Sequence, residues 1–294
     1  MTFEEWLTRC ETTLEIATSS QLQHLHAGMH RSVHLGKGLR LRHHDAYRPG
    51  DPRSAIDWKV SRKENTLLLR RFEEEKQLEV MLLCDVSASM QFGRQEHKHR
   101  LTVECAGLVG LAALQQGNTF GVIAFAEDMV AHFPPQQHRR AVLQALEYLW
   151  HYQPPVEPVT TTMLAPALRY LPTTRSVLAL IVSDFRMPDW QEALGNVSAL
   201  HDTVPILIAD EAEETLAPLG HIVVHDLESG QFVELDTSSA SYRQAYQAQR
   251  QAERASRERL FQQYCGEYIV TSHATEAPGE LLQLFLARAA RAWT

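Results

Sequence analysis

The run Asp85-Val86-Ser87-Ala88-Ser89 sets one carboxylate and two hydroxyls at alternate positions, directly after the apolar stretch 78–84. Side chains of a strand point to opposite faces with period two, so a loop leaving such a strand can wrap Asp85, Ser87 and Ser89 around one point. Oxygen ligands carrying a single charge suit Mg²⁺, which keeps several waters, and Mn²⁺ could take the same place. A second apolar stretch, 177–183, also ends in an aspartate, Asp184. Two carboxylates at strand C-termini lie where open α/β sheets place their ligands. A plainer reading stands beside this one: the hydroxyls cap helices and the two aspartates bond loop amides.

Those aspartates need a sheet to hold them, and the pattern around them supplies one. Residues 100–116 read as an apolar helix stopped by Gly117, and 119–125 as a strand, with 129–133 pairing against it before Pro134-Pro135. Helices follow over 138–150 and 164–170, then the strand 177–183, a helix over 189–201 and a strand over 204–209. This alternation predicts a mainly parallel sheet covered by helices on both faces. Two stretches, 221–227 and 231–236, flank Glu228-Ser229-Gly230 as a β-hairpin signal, giving an insertion at about 220–237. A long Arg/Gln-rich helix over 241–265, a last strand over 267–271 and a closing helix over 279–293 complete the chain. Before the first aspartate, 2–30 has near-helical spacing, glycines and prolines break regularity from 36 to 52, and 66–72 reads as a strand. The expected division is 1–77, a helical and extended elaboration, and 78–294, the sheet domain.

The chain has 294 residues, 44% of them hydrophobic, enough for one large domain or a domain with an elaboration. Cys10, Cys84, Cys105 and Cys265 are scattered, which suggests neither a disulfide framework nor a zinc knuckle. The N-terminus is acidic and lacks a signal-peptide layout, and no apolar run approaches the roughly 20 residues of a membrane span. A soluble, cytoplasmic protein is expected. The net charge of −8 is uneven: between Arg31 and Arg71 eleven Lys/Arg face four acids, a local +7 that leaves −15 elsewhere. Such asymmetry serves either an anionic partner or an internal match with the acidic remainder.

Asp-x-Ser-x-Ser resembles the first segment of the metal-ion-dependent adhesion site of von Willebrand factor A-like domains. Thr162-Met163-Leu164-Ala165-Pro166-Ala167-Leu168 is similar to that site's Thr-x-Leu-x-x-Ala-Leu step, and this likeness selects Thr162 as the third hydroxyl. The implied ligand set is Asp85, Ser87, Ser89, Thr162 and Asp184. The segment Tyr47-Arg48-Pro49-Gly50-Asp51-Pro52-Arg53-Ser54-Ala55-Ile56-Asp57-Trp58-Lys59-Val60-Ser61-Arg62, with Arg70-Arg71-Phe72-Glu73-Glu74-Glu75 beyond it, resembles a bacterial family catalogued as domain of unknown function fifty-eight. That resemblance implies a von Willebrand A-like (Rossmann-like) α/β fold. It also implies partnership with a MoxR-type AAA+ ATPase in a chaperone-like or assembly system, and a client protein that donates an acidic residue to the metal.

Within this signature, Arg48, Asp51, Arg53, Asp57, Trp58 and Arg62 form either an interaction surface or a set of ion pairs pinning an extended segment to the domain. Burial of Ile56 and Trp58 is expected, which favours pinning. No Gly-x-Ser-x-Gly elbow, phosphate-binding Walker loop or His-Glu-x-x-His occurs, so binding rather than catalysis is expected. The alternative is a nucleic-acid module using the basic 31–71 segment, with Tyr47 and Trp58 as stacking groups. The overall negative charge weighs against it.

Overall fold

The inner strands alternate with helices because they are buried on both faces and need helical cover on either side, whereas the edge strand Met129–Gln136 follows its neighbour directly and is half-exposed. In a computed structural model the described residues are 1–26, 40–48, 51, 56–73, 78–91, 98–154, 162–225, 232–272, 279 and 281. The chain divides into two units, Met1–His24 with Leu78–Thr294, and Leu25–Gln77.

The first unit is built on a six-stranded sheet. Its strands are β3 (Glu79–Asp85), β4 (Thr119–Phe125), β5 (Met129–Gln136), β6 (Leu178–Ser183), β7 (Asp202–Ile208) and β10 (Ile269–Thr271), in the order β10-β7-β6-β3-β4-β5. All neighbours are parallel except the β4–β5 pair. The edge strand β5 continues through Pro134 and Pro135, beyond the expected stop, since an outer strand has no ladder partner on its free side. Period two sorts the central strand. Val80, Leu82 and Cys84 join one core with residues of α3 (Lys98–Gln115) and α4 (Arg139–His151), while Met81 and Leu83 join the other. That second core contains residues of α5 (Ala165–Leu168), α6 (Trp190–Leu200) and α8 (Ala240–Tyr264). The mainly parallel sheet with helices on both faces is thus as expected.

The antiparallel hairpin β8 (His221–His225) and β9 (Phe232–Asp236) forms a small separate sheet, joined at its base where Thr237 Oγ1–H donates to the Gly220 carbonyl at 2.8 Å. The anticipated turn 228–230 lies outside the described residues, as does the closing helix apart from residues 279 and 281.

The expected 1–77 segment is not one body. Helix α1 (Phe3–His26) contributes Trp6, Cys10 and Leu14 to the first core of the sheet unit. The indole Nε1–H of Trp6 donates to the buried Glu104 carboxylate at 2.7 Å, and the Arg9 guanidinium meets the same oxygen at 2.6 Å. Gly107 provides the room: a Cβ there would stand 2.6 Å from Trp6 Cζ2 and 3.3 Å from Cys10 Sγ. Gly107→Val is therefore expected to displace the indole and cost about 1–3 kcal/mol, measured by denaturant unfolding. An unchanged midpoint would show that the notch is not needed.

In the second unit, β1 (Arg40–Ala46) pairs antiparallel with β2 (Leu68–Glu73), and α2 (Trp58–Glu64) sits between them in sequence. Asp57 caps α2 by accepting from Lys59 N and Val60 N, and Asn65 ends it in a left-handed turn at φ 54°. Neither β1 nor α2 was anticipated. Ile56 is buried as expected, but Trp58 is 63% exposed, against expectation. The cap makes Trp58 the first helical residue, while contact with β2 falls to Ile56, bridged to Leu69, and to Ser61, whose Oγ accepts from Leu68 N at 2.8 Å.

Candidate metal centre

Strands β3 and β6 are neighbours, and the helices that follow them pack on opposite sides of the sheet, so their C-terminal ends form a topological switch point, where open α/β sheets place ligands. Asp85 is the last residue of β3, and Asp184 directly follows β6. Both are buried, as are Ser87 and Thr162.

Asp85 is held on two sides. Ser87 N–H donates to its Oδ1 at 3.0 Å, and Ser183 Oγ–H donates to its Oδ2 at 2.7 Å. The Ser87 and Ser89 hydroxyls lie 3.1 Å apart, just before the short 3-10 turn Ala88–Gln91 closes. Burial, and then the negative charge of Asp184, push the Asp85 carboxyl up to about 6, against the hydrogen bonds from Ser87 and Ser183. Thr162 is placed by its backbone: Met163 N–H donates to the Ala126 carbonyl at 2.8 Å, at the end of the strand beside β3. Its loop runs into α5, whose first amides, Leu164 N and Ala165 N, donate to the Asp189 carboxylate at 3.1 and 2.8 Å.

Asp184 has a different environment. Its Oδ2 accepts from the fully buried Lys98 Nζ at 2.6 Å and its Oδ1 from Arg186 N at 3.2 Å. Burial pushes this carboxyl up, but the charge and hydrogen bond of the Lys98 ammonium, with the charge and amide of Arg186, together hold it below its ordinary value. The residue after it, Phe185, adopts φ 52°, a left-handed conformation that a bulky side chain rarely takes. Its ring is locked against Phe261 at 4.8 Å and Trp190 at 5.9 Å, which fixes the turn that aims Asp184.

The donors suit a small hard cation. They are all oxygens, and two buried carboxylates raise each other's charge cost in a way a cation relieves. Asp85, Ser87 and Ser89 are joined by contacts, Asp184 by charge, and Thr162 only through the backbone bond of its neighbour Met163 beside the end of β4. No cluster of three or more His, Cys, Asp or Glu side chains able to hold a metal occurs among the described residues, so hydroxyls have to complete any such centre.

Ser183, Lys98 and Glu213 were not singled out from the sequence. Ser183 follows the residue paired with Cys84, so parallel register alone would have set it across from Asp85. Lys98 carried a signal too: a lysine opening an apolar helix opposes the helix dipole and implies an anion nearby. Of the signature residues, Arg48 N–H donates to Asp51 Oδ2 at 2.9 Å, Asp57 is a cap, and Arg62 is exposed. Arg53 lies outside the described residues.

The chain is similar to several known proteins. The uncharacterized protein Rv1480 of Mycobacterium tuberculosis is 28% identical over 225 residues, covering 74% of this chain and 70% of its own. An uncharacterized protein of Mycobacterium avium, MAV169, is 34% identical over 101 residues, 34% of this chain and 59% of its own. Among solved structures, conserved hypothetical protein BatB from Bacteroides thetaiotaomicron is 14% identical with a TM-score of 0.46, covering 72% of this chain and 99% of that one. The SpRpn10 VWA domain is 12% identical with a TM-score of 0.36, covering 46% and 77%. No helix among the described residues is long and apolar enough to cross a membrane. The family described as protein of unknown function DUF58 matches residues 43–256, most of the chain, and the protein belongs to that family.

Proposed function

We propose that this protein is a metal-dependent adaptor that binds other proteins and catalyses no reaction. Mg²⁺, or Mn²⁺ in its place, is held by Asp85, Ser87 and Ser89, with Thr162 and Asp184 completing the set. The metal would supply an electrophilic position for an acidic residue of a client. The observation that carries this reading is the pairing of two buried carboxylates at the C-terminal ends of adjacent parallel strands, with hydroxyls around one of them. The partner implied by the family resemblance is a MoxR-type AAA+ ATPase in a chaperone-like or assembly system. None of the four cysteines forms a disulfide among the described residues.

The test is a binding isotherm between this chain and a purified MoxR-type ATPase, with Mg²⁺ and with EDTA. Binding is expected to weaken at least about tenfold in EDTA, and also with Thr162→Ala or Asp184→Ala. An association blind to EDTA would remove the metal from the interaction. Purified protein is expected to turn over neither phosphate esters nor nucleotides. Activity lost with Asp85→Asn would overturn the non-enzymatic reading.

A second reading has one observation in its favour. Trp58 is 63% exposed at the start of a helix that also exposes Lys59, Arg62 and Lys63. An exposed ring amid cations can stack on a nucleobase. Binding to single-stranded RNA that falls steeply with salt, ignores EDTA and is lost in Trp58→Ala would establish that role. We expect the ATPase, not the nucleic acid, to bind.

A further inference from the structure

Lys98 is fully buried at the first turn of α3, where the helix dipole disfavours a cation. Its ammonium spans two carboxylates, Asp184 Oδ2 at 2.6 Å and Glu213 Oε1 at 2.8 Å, the latter on the short helix α7 (Glu211–Glu214) beyond β7. The other oxygen of Glu213 holds Arg186 at 2.7 Å. Asp184 thus already has a cation of its own, while Asp85 next to it has only hydroxyl and amide donors.

The geometry points to Lys98 as an internal competitor for the metal at Asp184, with Glu213 as the seat that receives the ammonium when a metal takes that carboxylate. This inference rests on reading Asp85 and Asp184 as a metal site. Two cations cannot share one buried carboxylate at contact distance without strong mutual repulsion, and burial keeps water from screening it. A divalent ion held at Asp85 alone would be weakly bound. Full engagement of Asp184 requires Lys98 to let go, and a buried ammonium can let go only if another carboxylate still answers its charge. Glu213 is placed to do so. Lys98 therefore sets how tightly the metal binds, without ligating it.

The two residues are predicted to act in opposite directions, and a merely structural role would not produce that. Titration calorimetry with MgCl₂ and with MnCl₂ on the full chain would compare wild type, Lys98→Met, Glu213→Gln and Asp85→Ala, each checked for folding by circular dichroism. Lys98→Met is expected to tighten metal binding roughly 10- to 100-fold, Glu213→Gln to weaken it several-fold, and Asp85→Ala to abolish it. Uptake by Lys98→Met but not by wild type would also support the competitor role. Equal affinities in wild type and Lys98→Met would overturn it and leave the metal site standing. If neither takes up metal, the metal site itself fails and the role of Lys98 falls with it. Should Lys98→Met fail to fold, Glu213→Gln decides alone: weaker binding supports the inference, and unchanged or tighter binding overturns it.

Discussion

Trp6→Ala is expected to lower the stability of the sheet unit by about 3–5 kcal/mol, among the largest effects of any single substitution outside the sheet. The indole is fully buried, with ring centroids 5.4 Å from Phe3 and 5.2 Å from Trp150. Truncation opens a cavity between α1, α3 and α4, and removes a donor from a carboxylate that sits among apolar neighbours. Glu104 would keep Arg9 and the Cys10 thiol, at 2.6 and 3.7 Å, so the buried charge is not wholly stranded. Urea unfolding followed by far-ultraviolet circular dichroism measures the loss. A change below about 1 kcal/mol would mean that α1 is not an integral part of this core.

The second large effect is expected from Asp85→Asn, and it has two parts of opposite sign. Without metal the substitution should stabilise the protein at neutral pH. A carboxyl raised from 3.8 to about 6 in the folded state favours the native form while protonated. That advantage is present below pH 3.8 and is lost as pH rises towards 6, a swing on the order of 3 kcal/mol. An amide does not ionise, so it avoids the cost. It can still accept from Ser87 N through Oδ1 and donate to the Ser183 hydroxyl. With Mg²⁺ the sign reverses. Wild type at a hundred times its dissociation constant should gain about 2.7 kcal/mol, and Asp85→Asn should gain nothing. Melting curves at pH 5 and pH 7.5, with and without Mg²⁺, separate the two parts. An equal Mg²⁺ shift in both proteins would exclude Asp85 as a ligand.

What could be read from the chain before folding follows from how local each signal is. The two strand-end aspartates were legible because long apolar stretches, stopped by short polar residues, mark buried parallel strands. The hairpin over 221–236 was legible through its turn residues. Strand β1 was not: Arg40-Leu41-Arg42-His43-His44-Asp45-Ala46 shows no alternation of apolar and polar residues in its sequence. Helix α2 has seven residues, under two turns, too short for a helical period to show. Trp58 misled because a large aromatic is ordinarily buried, whereas the cap at Asp57 turned this one outward. At the candidate centre, the residues that answer charge, Lys98 and Glu213, are 115 positions apart, and only packing brings them together.

The notch at Gly107 bears on how the chain is made. Helix α1 is synthesised ahead of the residues that enclose Trp6: Glu104, Gly107 and Trp150 come about a hundred or more positions later. At roughly 5–20 residues per second, the apolar face of α1 therefore waits on the order of ten seconds without its partner. For that interval α1 is exposed to mispairing and to chaperones, and it can dock only once α3 and α4 have been made. A chain arrested before residue 104 would present α1 with no place to go.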